Sequence, residues 1–380
     1  MKFMLENKEL NVPMDYLDTA SFTVSSIPQP YQVTWDSTEN PCHTINETLS
    51  THPNNLLFID EKVFELYGKG IKHPDNKIFK APATEAFKSL EGVTQLCDFL
   101  FKNDFTKGET LVVVGGGIIQ DIGAFVGASY KRGIKWVYFP TTLLAMSDSC
   151  IGGKAGVNYN GIKNQLALFS APRAVIINSA FLDTLETRDI QSGLGEILKL
   201  SITGGSDMLI EYGNYVVNGK IHNKESTKAL ILGALAVKKA VIENDEFELN
   251  IRKALNYGHT LGHAIESISN YEIPHGIAVV VGMILVNYLS CEQGILDKSV
   301  CAEINHACLR LLDADLLATL RKIDLHAMMQ SLKQDKKVVG DSMTFVMISS
   351  PGHLHFVKMK LNEQLMNKIE ELFNQLLETM

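Results

Sequence analysis

The stretch that decides the fold is TLVVVGGGIIQDIGAFVGASY, residues 110–130, in which an apolar strand pattern passes through three glycines into a helix pattern. Glycines at such a turn let the backbone approach a phosphate group, whose charge the helix N-terminus stabilises. The turn is not a GxGxxG motif, and three glycines can equally form an ordinary tight connection. The stretch therefore predicts a βα unit and leaves nucleotide binding as one of two interpretations.

Strand and helix patterns alternate on both sides of this unit. Apolar strand-like segments occur at LLFID (56–60), WVYFPTT (136–142) and AVIINS (174–179), with helical patterns between them. Alternating β and α segments typically form a mostly parallel sheet covered by helices. We therefore predict a Rossmann-like α/β domain over residues 1–185, with an extended β-rich segment over residues 1–55.

The second half of the chain has a different pattern. Residues 186–333 show consecutive helical periodicity with almost no strand signal. TFVMISS (344–350) and HLHFVKM (353–359) predict a late hairpin, and a last amphipathic helix is expected over 361–379. Residues 186–380 are thus predicted to form a mainly α-helical domain.

Composition limits the class of protein. The formal net charge is −8 at pH 7, whereas general nucleic-acid binding needs a basic surface. The six cysteines form no CxxC pair, which is typical of reduced thiols in the cytoplasm. The N-terminus has no apolar signal segment, and the longest apolar run, near 277–289, is interrupted by Gly282 and Asn287. We expect a cytoplasmic protein that binds a small molecule and neither nucleic acid nor a membrane.

A second informative stretch is RKALNYGHTLGHAIESISNYEIPHG, residues 252–276. His259 and His263 are four residues apart and would share one face of a helix, and Arg252 and Asn256 are expected to continue that stripe. His275 follows a proline, where a loop is expected to fold back toward the helix.

Imidazoles in this pattern can hold a metal ion. HxxxH alone is ambiguous, and without the glutamate of HExxH it fits a metalloprotease poorly. Zinc commonly takes two imidazoles and one carboxylate and leaves a position open for substrate. Glu196, His259 and His275 would fill that role, and His263 would remain a donor to an anion.

Two further segments carry cations. Gly152-Gly153-Lys154 and Lys163-Asn164 lie in a glycine-rich stretch that could present ammonium groups to a phosphate or be an ordinary solvated loop. Glu196 and Lys199, three residues apart, would be only an ion pair if taken alone.

Taken together, the motifs resemble the sugar-phosphate cyclase family, and within it the 3-dehydroquinate synthases. The matching segments agree in order and spacing across residues 115–337; they are GGGIIQD, YKRG, PTTLLAMSDS, GGKAGVN, GIKN, GLGEILK, KKAVIENDEFE, RKALNYGHTLGHAIE, PHG and QDKK. The resemblance implies an NAD-binding α/β domain joined to a helical metal domain, in a homodimer.

The resemblance also implies roles for individual residues. Zinc, for which Co²⁺ could substitute, would be bound by Glu196, His259 and His275. The residues near NAD would be Asp60, Glu85, Lys88, Gly115, Gly116, Asp121, Thr141, Thr142, Asp148, Lys163 and Thr184. The substrate phosphate would meet Lys154, Asn164, Asn256, His263 and one of Lys336 and Lys337, with Arg132 reaching it from the partner subunit. The substrate carboxylate would meet Lys238 and Arg252, with Lys199 lining the same pocket.

The implied reaction is the cyclisation of a heptulose phosphate with loss of phosphate and no net redox change. Lys238, Arg252, Asn256 and His263 favour a carboxylated substrate, 3-deoxy-arabino-heptulosonate 7-phosphate. The sequence departs from the family pattern at Ile277 and Ala167, which leaves alternatives open: a cyclase acting on sedoheptulose 7-phosphate or an amino analogue, a glycerol-type metal-dependent dehydrogenase, or a non-catalytic regulator.

Overall fold

The computed structural model describes residues 1–13, 18, 20–27, 29–217, 219–333, 338 and 340–379. Its strands are, in chain order, β1 Lys2–Leu5, β2 Lys8–Asn11, β3 Ser21–Val24, β4 Tyr31–Trp35, β5 Leu56–Asp60, β6 Ile78–Ala81, β7 Thr110–Gly115, β8 Lys135–Pro140, β9 Lys154–Tyr159, β10 Ile162–Phe169, β11 Ala174–Ile177, β12 Val216–Val217, β13 Lys220–Ile221, β14 Ser342–Ser350 and β15 His353–Lys360. Its helices are α1 Cys42–Ser50, α2 Glu61–Tyr67, α3 Leu90–Lys102, α4 Gly117–Ser129, α5 Thr187–Gly204, α6 Ser206–Tyr215, α7 Lys224–Ile242, α8 His259–Ile268, α9 His275–Glu292, α10 Lys298–Leu309, α11 Ala314–Leu320, α12 Leu325–Lys333 and α13 Glu363–Thr379.

The chain divides into two compact units, which we call the sheet unit, Asp15–Glu186, and the helical unit, Met1–Met14 with Thr187–Met380. The sheet unit contains a seven-stranded sheet in the order β3-β4-β11-β8-β7-β5-β6. Its neighbouring strands are parallel except for the antiparallel pair β3 and β4. The predicted parallel α/β fold is confirmed.

The βα unit at residues 110–130 forms as predicted, with β7 leading into α4. Its glycines bring the helix close to the sheet. A Cβ at Gly123 would lie 2.9 Å from a methyl group of Val113, and one at Gly127 would lie 2.7 Å from the Trp136 ring. The glycines of this segment therefore serve helix-on-sheet packing as well as the turn.

The glycine-rich stretch after residue 150 is a hairpin, although the sequence pattern indicated only a loop. Strands β9 and β10 pair antiparallel, with a register irregularity between Ile162 and Leu166. Every side chain of β10 is exposed or half-buried, so backbone pairing rather than burial defines this strand. A hydrophobic pattern could not have revealed it.

The helical unit includes a small sheet in the order β14-β15-β1-β2. The predicted hairpin is confirmed as the antiparallel pair β14 and β15. Strand β1 pairs in parallel with β15, so the first residues of the chain belong to this unit and not to the domain predicted over residues 1–185. Pairing partners about 350 residues apart leave no local signal in a sequence.

Helix α9 is the central element of the helical unit, where it packs against α5, α8, α10 and α13. By length and composition alone this helix could cross a membrane, but 78% of its apolar window is buried inside the unit. That burial is expected of a core helix.

Two details of the histidine stretch differ from the prediction. Arg252 and Asn256 do not continue the helical stripe of His259, because they lie in a separate 3₁₀ turn, Ile251–Asn256. Gly258 has φ +77°, a left-handed conformation that interrupts the helical path between this turn and α8. His275 is not in a loop but is the first residue of α9, directly after Pro274.

Candidate metal and cofactor sites

Three imidazoles and one carboxylate meet in the helical unit. One nitrogen from each of His259, His263 and His275 lies within 4.8 Å of the others. The Glu196 atom Oε1 is 3.4 Å from Nε2 of His259 and 3.2 Å from Nε2 of His275. Four groups that bind transition metals thus converge from three separate helices.

Small residues make this convergence possible. A Cβ at Gly195 of α5 would lie 2.3 Å from the carbonyl oxygen of Gly276 on α9. Similarly, a Cβ at Gly262 of α8 would lie 2.9 Å from the carbonyl oxygen of Ala278 on α9. The backbones of helices α5 and α8 therefore lie in direct contact with the backbone of α9, next to Glu196, His259 and His275.

The outer nitrogens of two imidazoles are held by acceptors. Nδ1 of His275 lies 3.0 Å from Oε2 of Glu266, and Nδ1 of His259 lies 3.1 Å from the carbonyl oxygen of Tyr257. An acceptor at Nδ1 favours the tautomer whose unprotonated Nε2 can bind a metal. In both residues Nε2 faces Glu196, so the donor set fits a zinc ion.

Charge is concentrated at the buried carboxylate. Glu196 and Lys199 are each 2% exposed, and their Oε2 and Nζ atoms are 2.5 Å apart. Burial lowers the pKa of His275, but hydrogen bonds to Glu196 and Glu266 outweigh burial and raise that pKa to about 10. Without a metal, His275 therefore carries the proton that compensates these carboxylates.

The candidate anion-binding residues of the helical unit are held by an acidic loop. The Arg252 guanidinium is buried and donates to the carbonyl oxygen of Glu246. Nδ2 of Asn256 donates to Oε1 of Glu248 at 2.9 Å. The Asp245 carboxylate accepts three backbone N–H groups of the loop, including that of Arg252.

This acidic segment is part of the motif KKAVIENDEFE, residues 238–248, but its sequence predicts no role for its members. In the structure Glu246 and Glu248 contact the candidate site residues Arg252 and Asn256. Tyr257 and Glu266 likewise contact candidate metal ligands. The left-handed φ of Glu248, +59°, is a signal that only the backbone reveals. Lys238 is buried in α7, whereas Lys336 and Lys337 lie outside the described residues.

Several candidate cofactor residues of the sheet unit, among them Asp60, Gly115 and Thr141, lie at or directly after the carboxyl ends of its parallel strands, where α/β folds bind nucleotides. Asp60 ends β5 and caps α2 by accepting the N–H of Lys62 at 2.9 Å. Burial raises the pKa of Asp60. Gly115 ends β7, and its carbonyl oxygen accepts the N–H of Thr141 at 3.1 Å.

Neighbouring contacts tie the glycine turn to the segment after β8. A Cβ at Gly116 would lie 3.0 Å from the methyl group of Thr142. Asp148, another candidate cofactor residue, lies in a π-helical turn, Ala145–Ser149, after β8. The candidate Thr184 lies elsewhere in the sequence, and its hydroxyl is 2.8 Å from the hydroxyl of Tyr67.

Two ion pairs connect further candidate cofactor residues. Nζ of Lys88 lies 2.5 Å from Oδ2 of Asp121, in a largely buried pair. Burial raises the pKa of Asp121, and the Lys88 ammonium partly offsets this. Glu85 is contacted by Lys163 at 2.9 Å and by Asn158 at 2.8 Å. Burial raises the pKa of Glu85, but these contacts outweigh burial and lower it overall.

The remaining candidates of the sheet unit lie on the hairpin and on a strained turn. Lys154 begins β9, and Asn164 sits at the irregularity of β10 with φ +51°. Arg132 is exposed in a turn where it and Lys131 both have left-handed φ values, +61° and +51°. Two consecutive non-glycine residues in this region hold the turn in an unusual shape.

The fold and the cluster define a two-unit enzyme class, with a parallel α/β unit and a helical unit that bears a carboxylate–imidazole centre. Residues 78–192 match the family profile described as 3-dehydroquinate synthase N-terminal, and residues 193–338 match 3-dehydroquinate synthase C-terminal. The chain is 34% identical over 325 residues to a 3-dehydroquinate synthase of Streptococcus equi subsp. equi, covering 84% of this chain and 89% of the relative. The chain belongs to the 3-dehydroquinate synthase family, and it is a sugar-phosphate cyclase of the phosphate-eliminating type.

Solved structures of cyclases share the fold. A 2-deoxy-scyllo-inosose synthase complexed with carbaglucose-6-phosphate, NAD⁺ and Co²⁺ superposes with a TM-score of 0.76 at 20% identity, covering 93% of this chain and 99% of the other. A 2-epi-5-epi-valiolone synthase from Streptomyces hygroscopicus subsp. jinggangensis with NAD⁺ and Zn²⁺ gives 0.76 at 23% identity, covering 94% and 100%. The predicted fold class is therefore confirmed.

Proposed function

We propose that this enzyme converts 3-deoxy-arabino-heptulosonate 7-phosphate into 3-dehydroquinate and phosphate, with NAD⁺ and zinc as its cofactors. The observation that carries this proposal is the cluster of Glu196, His259 and His275, in which both Nε2 atoms lie within 3.4 Å of one carboxylate oxygen. Such a reaction belongs to the shikimate pathway. The six free cysteines support a cytoplasmic location.

Glu196, His259 and His275 would hold the zinc ion, and their outer partners keep Nε2 available to it. The bound cofactors would supply reversible oxidation of a secondary alcohol and polarisation of its oxygen. His263 is left as a donor toward the substrate phosphate. Its imidazole is exposed, and its ring centroid lies 5.3 Å from that of His259.

The helical unit also supplies cations for a carboxylate. Arg252 and Lys238 are buried, at 1% and 7% exposure, and buried cations favour an anionic ligand. This favours the carboxylated heptulosonate over sedoheptulose 7-phosphate, which has no carboxylate. Ile277 is fully buried in α9, so its departure from the family pattern presents no side chain to a ligand in solvent.

In the sheet unit we propose that NAD⁺ lies along the carboxyl ends of the strands. The glycine turn before α4 would receive the pyrophosphate. The other proposed contacts are Asp60, Glu85, Lys88, Asp121, Thr141, Thr142, Asp148, Lys163 and Thr184. Lys154 and Asn164 of the hairpin are proposed phosphate ligands.

One assay tests the substrate and the reaction together. The purified protein is given NAD⁺ and Zn²⁺ with 3-deoxy-arabino-heptulosonate 7-phosphate, sedoheptulose 7-phosphate or an amino analogue in separate reactions. We expect phosphate release with the heptulosonate and no accumulation of NADH. Activity on another heptulose phosphate alone would replace the proposed substrate. Steady NADH production would indicate a dehydrogenase. The absence of both phosphate release and NADH production would indicate a regulator.

A matched pair of variants tests the metal assignment. Glu196→Gln preserves the shape of the side chain and removes its charge, so metal binding and phosphate release should be lost together. Glu272→Gln changes an exposed carboxylate three residues before His275 in the sequence and should change neither. Full activity of Glu196→Gln without bound metal would contradict the assignment.

We further propose a homodimer in which Arg132 serves the partner's site. The exposed position of Arg132 on a constrained turn supports this role. Arg132→Ala and Glu196→Gln should each be inactive, whereas mixed dimers should regain activity because one of their sites is intact. If the protein is monomeric or mixing restores nothing, Arg132 does not act across subunits.

A further inference from the structure

The core helix α9 contains one polar side chain that ordinary packing does not explain. Its buried polar side chains are Asn287 and Ser290, both 0% exposed. The Ser290 hydroxyl donates to the carbonyl oxygen of Val286 in the preceding turn of the same helix, at 2.8 Å. Asn287 instead uses both ends of its amide to contact other elements, although an apolar residue there would avoid the cost of burying an amide.

Asn287 is the centre of a buried chain of hydrogen bonds. Its Oδ1 accepts from the Tyr257 hydroxyl at 2.5 Å, and its Nδ2 donates to Oδ1 of Asn305 on α10 at 2.8 Å. Asn305 in turn donates to Sγ of Cys301 at 3.5 Å. The amides of Asn287 on α9 and Asn305 on α10 thus orient each other, and Asn287 in turn holds the Tyr257 hydroxyl.

Tyr257 connects this chain to the histidine cluster. The residue is 0% exposed, and its carbonyl oxygen lies 3.1 Å from Nδ1 of His259. Its backbone N–H donates to the carbonyl oxygen of Ala254 at 3.1 Å. The Tyr257 residue is therefore held at two points, by the hydroxyl of its ring and by its backbone N–H on the 3₁₀ turn that precedes it.

The next residue adds a second point of contact with α9. Gly258 is left-handed, and a Cβ at Gly282 would lie 2.0 Å from its carbonyl oxygen. The segment before α8 thus lies against α9 at Gly282 through backbone and at Asn287 through the tyrosine hydroxyl. A change at Asn287 releases one of these contacts and leaves the other intact.

We propose that Asn287 is a positioning residue for the metal centre, acting through Tyr257 to hold the carbonyl oxygen that orients His259. This inference rests on the proposed metal-dependent function. With the Tyr257 hydroxyl anchored, its carbonyl oxygen keeps the proton of His259 on Nδ1 and directs Nε2 toward Glu196. Without the anchor, the ring and its peptide gain freedom, and the His259 imidazole samples orientations and tautomers that bind a metal less well.

The test compares three variants in titrations with Co²⁺, followed by visible absorption. Asn287→Leu removes the acceptor of the tyrosine hydroxyl, and Tyr257→Phe removes the hydroxyl alone. We expect each to weaken Co²⁺ binding about tenfold, at the low end of the effect of outer partners of metal ligands. Ser290→Ala removes a buried hydrogen bond of the same helix that does not belong to the hydrogen-bond chain through Asn287. This variant should bind Co²⁺ like the unmodified enzyme.

A second readout does not need the metal. In the metal-free protein with ¹⁵N-labelled histidine, the proton on Nδ1 of His259 should give a resolved NMR signal that is weakened or shifted in Asn287→Leu and Tyr257→Phe but not in Ser290→Ala. If Asn287→Leu fails to fold, Tyr257→Phe, which loses a single oxygen atom, decides the question.

The outcomes separate this inference from the function on which it rests. Unchanged Co²⁺ affinity and an unchanged His259 signal in folded Tyr257→Phe would overturn the positioning role. If the unmodified enzyme binds no Co²⁺, the metal centre itself is wrong, whatever the variants do. Non-additive losses in the double variant Tyr257→Phe/Asn287→Leu are expected, because both changes break the same hydrogen bond.

Discussion

The backbone N–H of Gly276 donates to the hydroxyl of Ser192 at 3.0 Å, and this contact fixes the first turn of α9 against α5. A Cβ at Gly276 would lie 1.8 Å from the carbonyl oxygen of Ser192. His275 is the neighbour of Gly276, and Glu196 follows Ser192 by one helical turn. The approach of these two backbones therefore sets the distance between the carboxylate and the imidazole.

Gly276→Ala should separate the two helices and disrupt the metal site. Overpacking of this kind typically costs about 1–3 kcal/mol of stability, and we expect metal affinity to fall with it. Thermal unfolding and Zn²⁺ titration measure the two effects. Gly213→Ala is the control, because an added Cβ there meets nothing within 4 Å on helix α6 and should stabilise the protein by up to about 1 kcal/mol. Normal Zn²⁺ affinity in Gly276→Ala would show that the cluster does not depend on this contact.

Glu266→Gln should weaken Zn²⁺ binding about 10–100-fold, the usual effect of losing a carboxylate partner behind a metal-binding imidazole. Glu266 contacts Nδ1 of His275 at 3.0 Å, and a neutral amide there supports the imidazole less strongly. Competition with a coloured chelator gives the affinity. An affinity equal to that of the unmodified enzyme would exclude Glu266 from the metal centre.

The contacts of Gly276 with Ser192 and of Glu266 with His275 illustrate how much of the site the sequence could predict. The spacing of His259 and His263 and the presence of Glu196 and His275 were enough to identify the groups that meet. The partners that orient them were not predictable, because Glu266 and Tyr257 look like ordinary members of an amphipathic segment. Their roles depend on which side of each imidazole faces the carboxylate, and only the packing of α5 and α8 on α9 determines that.

The fold shows a similar division. Strand β7 and helix α4 were predicted because burial gives a periodic pattern of apolar residues. Strands β1 and β10 were not placed correctly, because their positions depend on backbone pairing with strands distant in sequence or exposed to solvent. A left-handed glycine at residue 258 likewise separated two segments that the helical period had joined.

Zinc binding should release a proton at neutral pH. In the metal-free protein the pKa of His275 is about 10, above its ordinary value of 6.5, so the imidazole is protonated near neutral pH and must lose that proton to bind a metal. The charge of His275 stabilises the metal-free fold fully at pH values below the pKa that this residue has in the unfolded protein. This stabilisation is lost as the pH rises through about 10. Metal affinity should accordingly increase with pH over this range.

The release can be counted in weakly buffered solution at about pH 7.5, where adding Zn²⁺ should liberate about one proton from His275. The Glu266→Gln variant should release less, because loss of one carboxylate lowers the pKa of His275. No acidification on saturation with Zn²⁺ would show that the metal does not replace a proton at this residue.

Lys88→Met should destabilise the sheet unit strongly. It leaves the Asp121 carboxylate without the ammonium that lies 2.5 Å away in a largely buried pair, and breaking such a pair typically costs about 3–5 kcal/mol. The control is Lys62→Met, which removes an ion pair with Glu186 whose side chains are 61% and 66% exposed. Exposed pairs contribute at most about 1 kcal/mol, so the control should unfold almost like the unmodified protein in urea. Equal urea midpoints for the two variants would mean that the Lys88–Asp121 pair contributes no more to stability than an exposed ion pair.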